Sequence, residues 1–574
     1  MALSPVLESK RLTLQGQLDS AKTLAERNKL GQFPTPTMLA TDILEYARTL
    51  LPPAVRIRFL DPAFGTGSFY SALLKCFATR RIAAAVGYEI DPHYAQATID
   101  LWRGQALDLR LMDFTHATAP ASNADKFNLL ICNPPYVRHH HLTQAVKTHL
   151  LQAVQRATGL KLNGLTGLYG YFLCLSHAWL ADDGLAGWLI PSEFMDVNYG
   201  QPLKTYLLDQ VTLLRIHRFD PTDVQFQDAL VSSAVVWLKK TPPPVDHIVE
   251  FTYGGTLAQP VITKDIPAAA LRDSSKWTHY PRASIGPRPD RSGLKLADLF
   301  KIQRGIATGA NDFFILSTDQ IAEQNLPREC FIPILPSPRY LAADEINADI
   351  QGDPLIDRAR YLLNCNLPEE AVKRQFPTLW AYLQTGVAAG IDQHYLCQHR
   401  TPWYAQEVRA PALFLCTYMG RQDTGRGRPF RFILNHSQAT APNVYLLLYP
   451  KPNLALHLDH HPRRITAVWH ALNEIQMETL IGEGRVYGGG LHKLEPNELA
   501  NAPAEKLLAV LPELSLNPSG QLRLLEEQMP YDVHPNTKHA PAAVARVQKA
   551  ATRTQASKVK RKGTPHPSQG TRTP

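Results

Sequence analysis

The tetrapeptide Asn133-Pro134-Pro135-Tyr136 directly follows an apolar run, residues 127–132. Such a run is typical of a buried strand, and two consecutive prolines, which fix φ and lack backbone donors, end it at a rigid turn. The Asn133 side-chain oxygen and the Pro134 carbonyl can then point the same way, as two acceptors for an exocyclic amino group. Tyr136 can lie flat against the ring that carries this group. An ordinary strand-ending turn would also account for the motif, so its meaning depends on the motifs that accompany it.

A second apolar run leads into a glycine-containing turn with the sequence DPAFGTG, residues 61–67. In an open parallel sheet the ligand lies beyond the carboxyl ends of the strands. Gly65 and Gly67 would let the backbone approach such a ligand closely, and Asp61 can hold a positively charged amino group. A dinucleotide-binding loop would have a third glycine where Tyr70 stands, and the phosphate-binding sequences GKS and GKT do not occur in the chain. A plain strand–helix turn explains the two glycines nearly as often.

Two further strand ends carry acidic residues. Glu89 can bind both hydroxyls of a ribose, as carboxylates do for dinucleotides, and Asp113 could accept from an adenine amino group while Phe114 packs on the ring. Upstream, residues 31–36 form a stiff loop before a helical segment, and the Thr35 hydroxyl could close over a carboxylate at the helix N-terminus. Taken singly, solvated carboxylates and a proline-rich helix start explain these residues. Their order and spacing together favour one adenosyl ligand.

The elements that position these residues follow from the alternation of short apolar runs with helical segments over residues 31–240. Strands interleaved with helices indicate βαβ units and a mostly parallel, seven-stranded sheet covered on both faces. We therefore predict an α/β fold with these parts: an N-terminal helical segment, a Rossmann-like domain, a connecting segment, a second α+β domain and a disordered basic tail, at residues 1–30, 31–240, 241–292, 293–530 and 536–574.

The net charge of +9 on this 574-residue chain is concentrated at its C-terminal end. Nine of the 60 Lys and Arg residues, and no Asp or Glu, lie in 536–574, which leaves 51 basic against 51 acidic residues in 1–535. A nucleic-acid site on the body must therefore come from local clustering. No apolar run reaches the length of about 18 residues that spans a membrane, and the seven scattered cysteines are typical of a reduced, cytoplasmic protein without a metal site.

The set of motifs resembles the gamma-class DNA N6-adenine methyltransferases of bacterial restriction–modification systems. The resemblance covers residues 25–240 and is carried, in the family's order, by GQFPTP, DPAFGTGSF, GYEID, LMDF and NPPY. It implies a Rossmann-like catalytic domain that transfers a methyl group from S-adenosylmethionine to the N6 amino group of an adenine flipped out of double-stranded DNA. By the same likeness, the cofactor contacts would be Thr35, Asp61, Pro62, Ala63, Phe64, Glu89, Asp113 and Pro135.

The family also has a second aromatic clamp ahead of the last strand of the catalytic sheet. Residues 224–228 are similar to it and nominate Phe226, which could equally be a core residue. Further along, residues 300–314 and 488–496 look like parts of the family's recognition domains. These stretches indicate the type of domain and do not reveal which bases it reads.

Basic residues that could contact DNA are found in two places. Arg138 follows the catalytic motif directly, ahead of three histidines that we interpret as a polar loop near the DNA backbone. In the second domain, Arg304 lies in the recognition-like stretch, and a glycine-rich loop suits phosphate contacts or bidentate guanine readout. A solvated basic loop is an equal alternative for its arginines, which are Arg421, Arg426, Arg428 and Arg431.

Other functions share some of these motifs. A methyltransferase for a release-factor glutamine or a ribosomal-RNA base would also carry NPPY, although the GQFPTP loop and the large second domain favour DNA. A non-catalytic DNA-specificity protein is disfavoured by the intact set of strand-end residues. We find no convincing nuclease motif, so a separate cognate restriction endonuclease, or none, is favoured over a fused one.

Overall fold

The computed structural model describes residues 5–220, 232–281, 293–421, 428–459, 461–487, 490–511, 514–516 and 522–524. In the first part of the chain the helices are α1 (Pro5–Ser20), α2 (Leu24–Leu30), α3 (Thr37–Leu50), α4 (Ser68–Cys76), α5 (Pro92–Leu101), α6 (Gln144–Thr158), α7 (Leu168–Leu175), α8 (Gln201–Asp209) and α9 (Ala268–Arg272). The strands are β1 (Ile57–Asp61), β2 (Ile82–Glu89), β3 (Asp108–Leu111), β4 (Phe127–Cys132), β5 (Leu180–Pro191), β6 (Thr212–Arg218), β7 (Ser233–Lys239), β8 (Ile248–Gly255) and β9 (Pro260–Pro267).

Within the described residues these strands form one nine-stranded sheet in the order β3-β2-β1-β4-β5-β7-β6-β8-β9. Strands β1 to β5 pair in parallel, and β7 lies antiparallel between β5 and β6. Each of the strands β1 to β7 overlaps one of the short apolar runs of residues 31–240. The prediction of an α/β fold with a large, mostly parallel sheet is therefore confirmed.

The order of the strands fixes where a ligand can bind. The chain runs outward from β1 through β2 to β3, then returns to place β4 on the other side of β1. The carboxyl ends of β1 and β4 thus flank the point where the strand order reverses, which is where open α/β sheets bind ligands. Asp61 ends β1 and Asn133 follows β4, so the topology brings these two residues to the same edge of the sheet.

Helices cover both faces of the sheet, as expected for parallel strands buried on both sides. On one face α3 and α4 contribute Ile43 and Leu73, and on the other α6 and α8 contribute Leu150 and Leu207, all of them almost completely buried. Strand β4 itself is buried over most of its length. Residues 133–136 therefore leave the sheet from its buried interior.

Residues 241–292, interpreted from the sequence as a connecting segment, contain two strands of the sheet. β8 pairs in parallel with β6, and β9 pairs antiparallel with β8. The triple proline at 242–244 suggested an end to the domain, but it interrupts the chain only between β7 and β8. The sheet continues past this turn because β8 is apolar enough to bury Val249 and Phe251.

The second part of the chain is a separate α+β arrangement. Its helices are α10 (Leu296–Leu299), α11 (Asn311–Phe314), α12 (Thr318–Glu323), α13 (Glu369–Gln375), α14 (Pro377–Ala388), α15 (Tyr395–Gln398), α16 (Pro452–Leu458), α17 (Pro462–Asn473), α18 (Met477–Glu483), α19 (Pro496–Ala500) and α20 (Glu505–Val510). Its strands are β10 (Phe300–Arg304), β11 (Ile315–Ser317), β12 (Phe331–Ile334), β13 (Glu345–Ile346), β14 (Arg360–Leu363), β15 (Phe414–Thr417), β16 (Met419–Arg421), β17 (Phe432–Asn435), β18 (Tyr445–Pro450), β19 (Arg485–Tyr487), β20 (Leu491–Lys493), β21 (Leu514–Leu516) and β22 (Leu522–Leu524).

Among the described residues, the main sheet of this second domain has the order β10-β18-β15-β17-β13, and a smaller one has the order β16-β20-β19. The smaller sheet touches the first domain, where the Ser232 hydroxyl donates to the Val486 carbonyl at 3.1 Å. Six cysteines are buried and Cys76 is half-buried, and none of the seven is in a disulfide. No helix in the described ranges combines the length and the apolar character needed to cross a membrane.

Candidate functional site

A cavity of 640 Å³ opens at the carboxyl ends of the parallel strands. The four strand-end residues singled out from the sequence, Asp61, Glu89, Asp113 and Asn133, all line it. They come from four different strands or the turns that follow them, so their meeting is a consequence of the strand order. The cavity therefore brings side chains from all four motifs together.

Most of the residues expected to bind a cofactor line the same cavity. Besides Asp61, Glu89 and Asp113, these are Thr35, Pro62, Ala63, Phe64, Gly65, Phe114 and Pro135. Gly67 does not line the cavity. A Cβ added at Gly67 would lie 2.7 Å from the Phe64 ring and 2.8 Å from Trp102 Nε1, so the glycine is required for packing beneath the turn. Its predicted role in close approach to a ligand is corrected to a structural one.

Asp61 presents one free carboxylate oxygen to the cavity. Its Oδ1 accepts from the Ala63 amide at 3.1 Å, whereas its Oδ2 is buried and lacks a hydrogen-bond partner within the described part of the chain. Burial, and after it the charge of Glu89, raise the pKa of Asp61 to about 8. A buried, unpartnered carboxyl is costly, and a ligand ammonium group at this position would satisfy it.

Glu89 is held rigidly in place. Its Oε2 accepts from the Gly65 amide at 2.8 Å and its Oε1 from the Asp91 amide at 2.9 Å, while burial raises its pKa. Gly65, with φ of +56°, adopts the left-handed conformation that turns its amide toward this carboxylate. Each oxygen keeps a lone pair for a further donor, which suits a pair of ribose hydroxyls.

Aromatic and apolar side chains form the other end of the cavity. Phe114 is 3% exposed and its ring centroid lies 5.5 Å from that of Phe172, which also lines the cavity. Asp113 caps the turn beside it by accepting from the Thr115 amide at 2.8 Å. This combination of a flat apolar surface with a neighbouring carboxylate is suited to a purine ring with an amino group.

Asn133 directs a hydrogen-bond acceptor into the site. Its Nδ2 donates to the Phe33 carbonyl at 3.0 Å and to the Thr35 hydroxyl at 3.1 Å. Its Oδ1 is buried and accepts no hydrogen bond from any residue that the structure describes. Buried amide oxygens are nearly always partnered, so this one is available for a donor on a ligand.

Tyr136 differs from its predicted arrangement. The ring is 9% exposed and does not line the cavity, and its hydroxyl donates to the Leu189 carbonyl at 3.0 Å. Its expected part as an open stacking surface is therefore corrected: in this structure Tyr136 supports the catalytic turn from within the core. Pro134 is also buried and outside the cavity lining. Phe226, nominated as the second aromatic clamp, lies outside the described residues.

Two family models match the chain. One, described as Eco57I restriction-modification methylase, matches residues 85–225, and the other, type II methyltransferase M.Eco57I, C-terminal domain, matches residues 289–522. The first includes the catalytic motif and the second spans most of the second domain. The chain is therefore similar, in both of its halves, to type II methyltransferases of the Eco57I restriction–modification family.

Individual relatives are similar over most of their length. Type II methyltransferase M.XamI of Xanthomonas campestris pv. amaranthicola is 29% identical over 82% of this chain and 84% of its own, and M.AccI of Acinetobacter calcoaceticus is 25% identical over 83% and 85%. Among solved structures, the type IIL restriction-modification enzyme MmeI in complex with DNA is 14% identical, with a TM-score of 0.48, and covers 88% of this chain and 74% of that one.

The cavity has one wall that sequence reasoning missed. Gln15 and Asp19 of α1, together with Lys22, line it. The buried Arg11 fixes α1 there by donating to Thr37 at 2.8 Å and to other residues on the N-terminal turns of α3 and α4. A signal existed: Arg11, Gln15, Asp19 and Lys22 recur at helical spacing on one face. The apolar wall from α6 and α7, including Phe172, carries no signal that distinguishes it from ordinary core.

The arginines next to the catalytic motif and in the second domain do not form one group. Arg138 is exposed, and Arg304 is exposed with its guanidinium 4.1 Å from the Tyr418 ring centroid. Arg421 and Arg428 are exposed at the two ends of a loop whose middle, including Arg426, lies outside the described residues. Arg431 is corrected to a structural residue, because its side chain is mostly buried and forms an ion pair with Asp344, with Nε 2.6 Å from Oδ1.

Proposed function

We propose that this protein transfers a methyl group from S-adenosylmethionine to the N6 amino group of an adenine flipped out of a specific double-stranded DNA sequence. The observation that carries the proposal is the Asn133 Oδ1 atom, a buried acceptor without a partner in the described structure, in the same cavity as the unpartnered Asp61 Oδ2. One acceptor suits a target amino group and the other suits the amino group of a cofactor.

The residues of the cavity fit S-adenosylmethionine. Asp61 Oδ2 would accept from its ammonium group, Glu89 from its ribose hydroxyls, and Asp113 from its adenine amino group, with Phe114 and Phe172 against the ring. When bound, this cofactor supplies an electrophilic methyl group on a sulfonium centre. The cofactor would bind in one orientation, with its adenine ring at Phe114 and its ammonium group at Asp61.

The chain's own contribution at the target is to hold the amino group. The lone pair of an exocyclic amino nitrogen is delocalised into the ring, which makes it a poor nucleophile. Asn133 Oδ1 would accept one of its two hydrogens. The Pro134 carbonyl, although Pro134 does not line the cavity, would accept the other at the cavity's edge, and together they would favour a pyramidal nitrogen. Positioning and fixed dipoles then provide most of the rate.

A covalent cysteine adduct has no place in this proposal. Cys132 lies directly before the catalytic motif but is completely buried, and burial together with the charge of Asp61 raises the pKa of its thiol well above the usual value. A thiol in this environment is not a nucleophile. Cys132 is therefore a core residue of β4.

Double-stranded DNA is the favoured substrate because both halves of the chain match models of a restriction–modification methyltransferase family, the second half matching that family's C-terminal domain. The amino group is inaccessible in a stacked duplex, so the adenine must be flipped out at a cost of a few kcal/mol. We assign Phe226 to the second aromatic clamp of the flipped base. The modification would protect the sequence from a separate cognate restriction endonuclease.

The test is a methylation assay with labelled S-adenosylmethionine on duplex DNA, ribosomal RNA and release factor. We expect label on DNA alone, and long-read sequencing of DNA from expressing cells should show N6-methyladenine in one sequence. Label on RNA or on release factor would replace this function with the corresponding alternative. Methylation of a cytosine amino group would overturn the adenine assignment, and no transfer to any substrate would favour a non-catalytic specificity protein.

A further inference from the structure

The orientation of the Asn133 amide is set by a loop about 100 residues away in the sequence. The Phe33 carbonyl, 3.0 Å from Nδ2, has no proton to donate. An amide flipped by 180° would place its oxygen against this carbonyl oxygen and lose the hydrogen bond. The amide nitrogen must therefore face the loop, and the oxygen must face away from it.

This loop, residues 31–35, is itself fastened to the catalytic motif. The Tyr136 amide donates to the Gly31 carbonyl at 3.1 Å, and the rings of Phe33 and Tyr136 are 5.7 Å apart. Gly31 has φ of +65°, and a Cβ on it would lie 2.4 Å from the Tyr136 nitrogen. The two segments are thus in close contact, and the position of one determines that of the other.

Thr35 provides the second acceptor for the Asn133 nitrogen. Its side chain is buried and its hydroxyl oxygen lies 3.1 Å from Nδ2. With both hydrogens of the amide nitrogen used by Phe33 and Thr35, the acceptor oxygen is the sole part of the Asn133 side chain left for a ligand. A buried acceptor left without a donor is unfavourable, and an incoming amino group would remove this cost.

We propose that Thr35 is a positioning residue that, together with the Phe33 carbonyl, holds the Asn133 amide so that its oxygen receives the target amino group. The inference rests on the proposed function of Asn133 as the acceptor. This role differs from the cofactor contact that the family resemblance implies for Thr35. Because Phe33 and Thr35 also line the cavity, the same loop contacts both the cofactor region and the catalytic amide.

The two roles of Thr35 predict different kinetics. A residue that only contacts the cofactor changes the cofactor Kd when it is altered. A residue that positions Asn133 changes kcat, since small misplacements of a catalytic group can reduce rates by up to about 100-fold. The variant Thr35→Val removes the hydroxyl at nearly constant volume, and Thr35→Ser retains it.

The experiment measures kcat for DNA methylation and, by calorimetry, the Kd of S-adenosylmethionine for each variant. We expect Thr35→Val to lower kcat about 10- to 100-fold with less than about a threefold change in Kd, and Thr35→Ser to restore kcat. Thr41→Val is the matched control on α3, because the buried Thr41 hydroxyl has no hydrogen-bond partner in the described structure. The control should match the unmodified protein in kcat.

Three outcomes would overturn the inference. The first is an unchanged kcat in Thr35→Val, and the second is a rise in the Kd of Thr35→Val as large as its fall in kcat. The third is an equal loss of kcat in the valine and serine variants, since serine keeps the acceptor. Failure of the proposed function is distinguishable, because it would appear as absence of methyl transfer in the unmodified protein.

Discussion

The two halves of the molecule differ in how closely their site residues depend on the fold. In the first half, residues from four separate motifs meet at one cavity because each motif ends or follows a strand of one parallel sheet. In the second half, the arginines chosen from the sequence have different surroundings. Arg431 is tied to Asp344 and Arg304 lies over Tyr418, whereas Arg428 is exposed. The order of the strands fixes the position of a residue at a strand end, but it does not fix the position of an arginine in a loop.

The two halves also differ in whether the polar atoms of the chosen residues have hydrogen-bond partners. In the cavity, Asp61 and Asn133 each keep a buried oxygen without a donor among the described residues. Such atoms are costly, and these two belong to strand-end residues that line one cavity. Their combination marks a binding site more specifically than charge does. An exposed arginine is satisfied by water whether or not it contacts DNA, and its presence alone indicates little.

The largest effect is expected for Asn133→Ala. Loss of the acceptor oxygen should reduce methyl transfer about 10²- to 10³-fold, as removal of a single transition-state hydrogen bond can. The cofactor Kd should remain within about threefold, because Asp61, Glu89 and Phe114 would still hold it. Transfer assays and calorimetry on the same preparation check both parts, and near-normal turnover would show that the amide is not the acceptor.

Asp61→Asn should have opposite effects on binding and on stability. Removing the carboxylate should weaken S-adenosylmethionine binding about 10- to 100-fold. The ligand-free protein should become more stable, because the pKa of Asp61 is raised to about 8 in the folded state.

The raised pKa of Asp61 determines how the stability of the ligand-free protein depends on pH. Between the unfolded pKa near 4 and the folded value, the unfolded chain holds fewer protons, so the raised pKa makes ligand-free stability fall as pH rises. Denaturation should therefore show that Asp61→Asn raises the free energy of unfolding of the ligand-free protein more at pH 8 than at pH 5. The difference between the two increases should be at least about 1 kcal/mol. An equal difference at both pH values would mean that Asp61 is ionised in the free protein.

Gly65 and Gly67, two residues apart, should respond differently to alanine. Gly67→Ala places a Cβ 2.7 Å from the Phe64 ring at a φ of +87° and should cost about 2–4 kcal/mol of stability. At Gly65 no described atom lies within 4 Å of an added Cβ, so Gly65→Ala should cost about 1–2 kcal/mol from its positive φ. Thermal unfolding of both variants checks the order, and a reversed order would show that packing beneath the turn does not require a glycine at position 67.

Much of the catalytic half could be predicted from the sequence because its apolar runs set the strands, and strand order then sets the site. The position of Asn133 beside Asp61 follows from β4 lying next to β1. The contribution of α1 could not be predicted with equal ease, since Arg11 is charged yet 1% exposed. Its burial depends on Glu8 and the α3 and α4 N-termini, which are brought together only by tertiary structure.

The smallest effects are expected for Arg428 and Arg431, which test directly whether the arginines of the second half have different roles. Arg431→Ala removes the ion pair with Asp344 and should cost about 1–2 kcal/mol of stability, with the sequence methylated unchanged. Arg428→Ala should leave the unfolding midpoint unchanged but weaken DNA binding a few-fold and lower its salt dependence by about one counterion. DNA binding measured at several salt concentrations distinguishes the Arg431→Ala variant from the Arg428→Ala variant. If Arg428→Ala altered which sequence is methylated, that arginine would read a base, and loop arginines would carry more specificity than their exposure indicates.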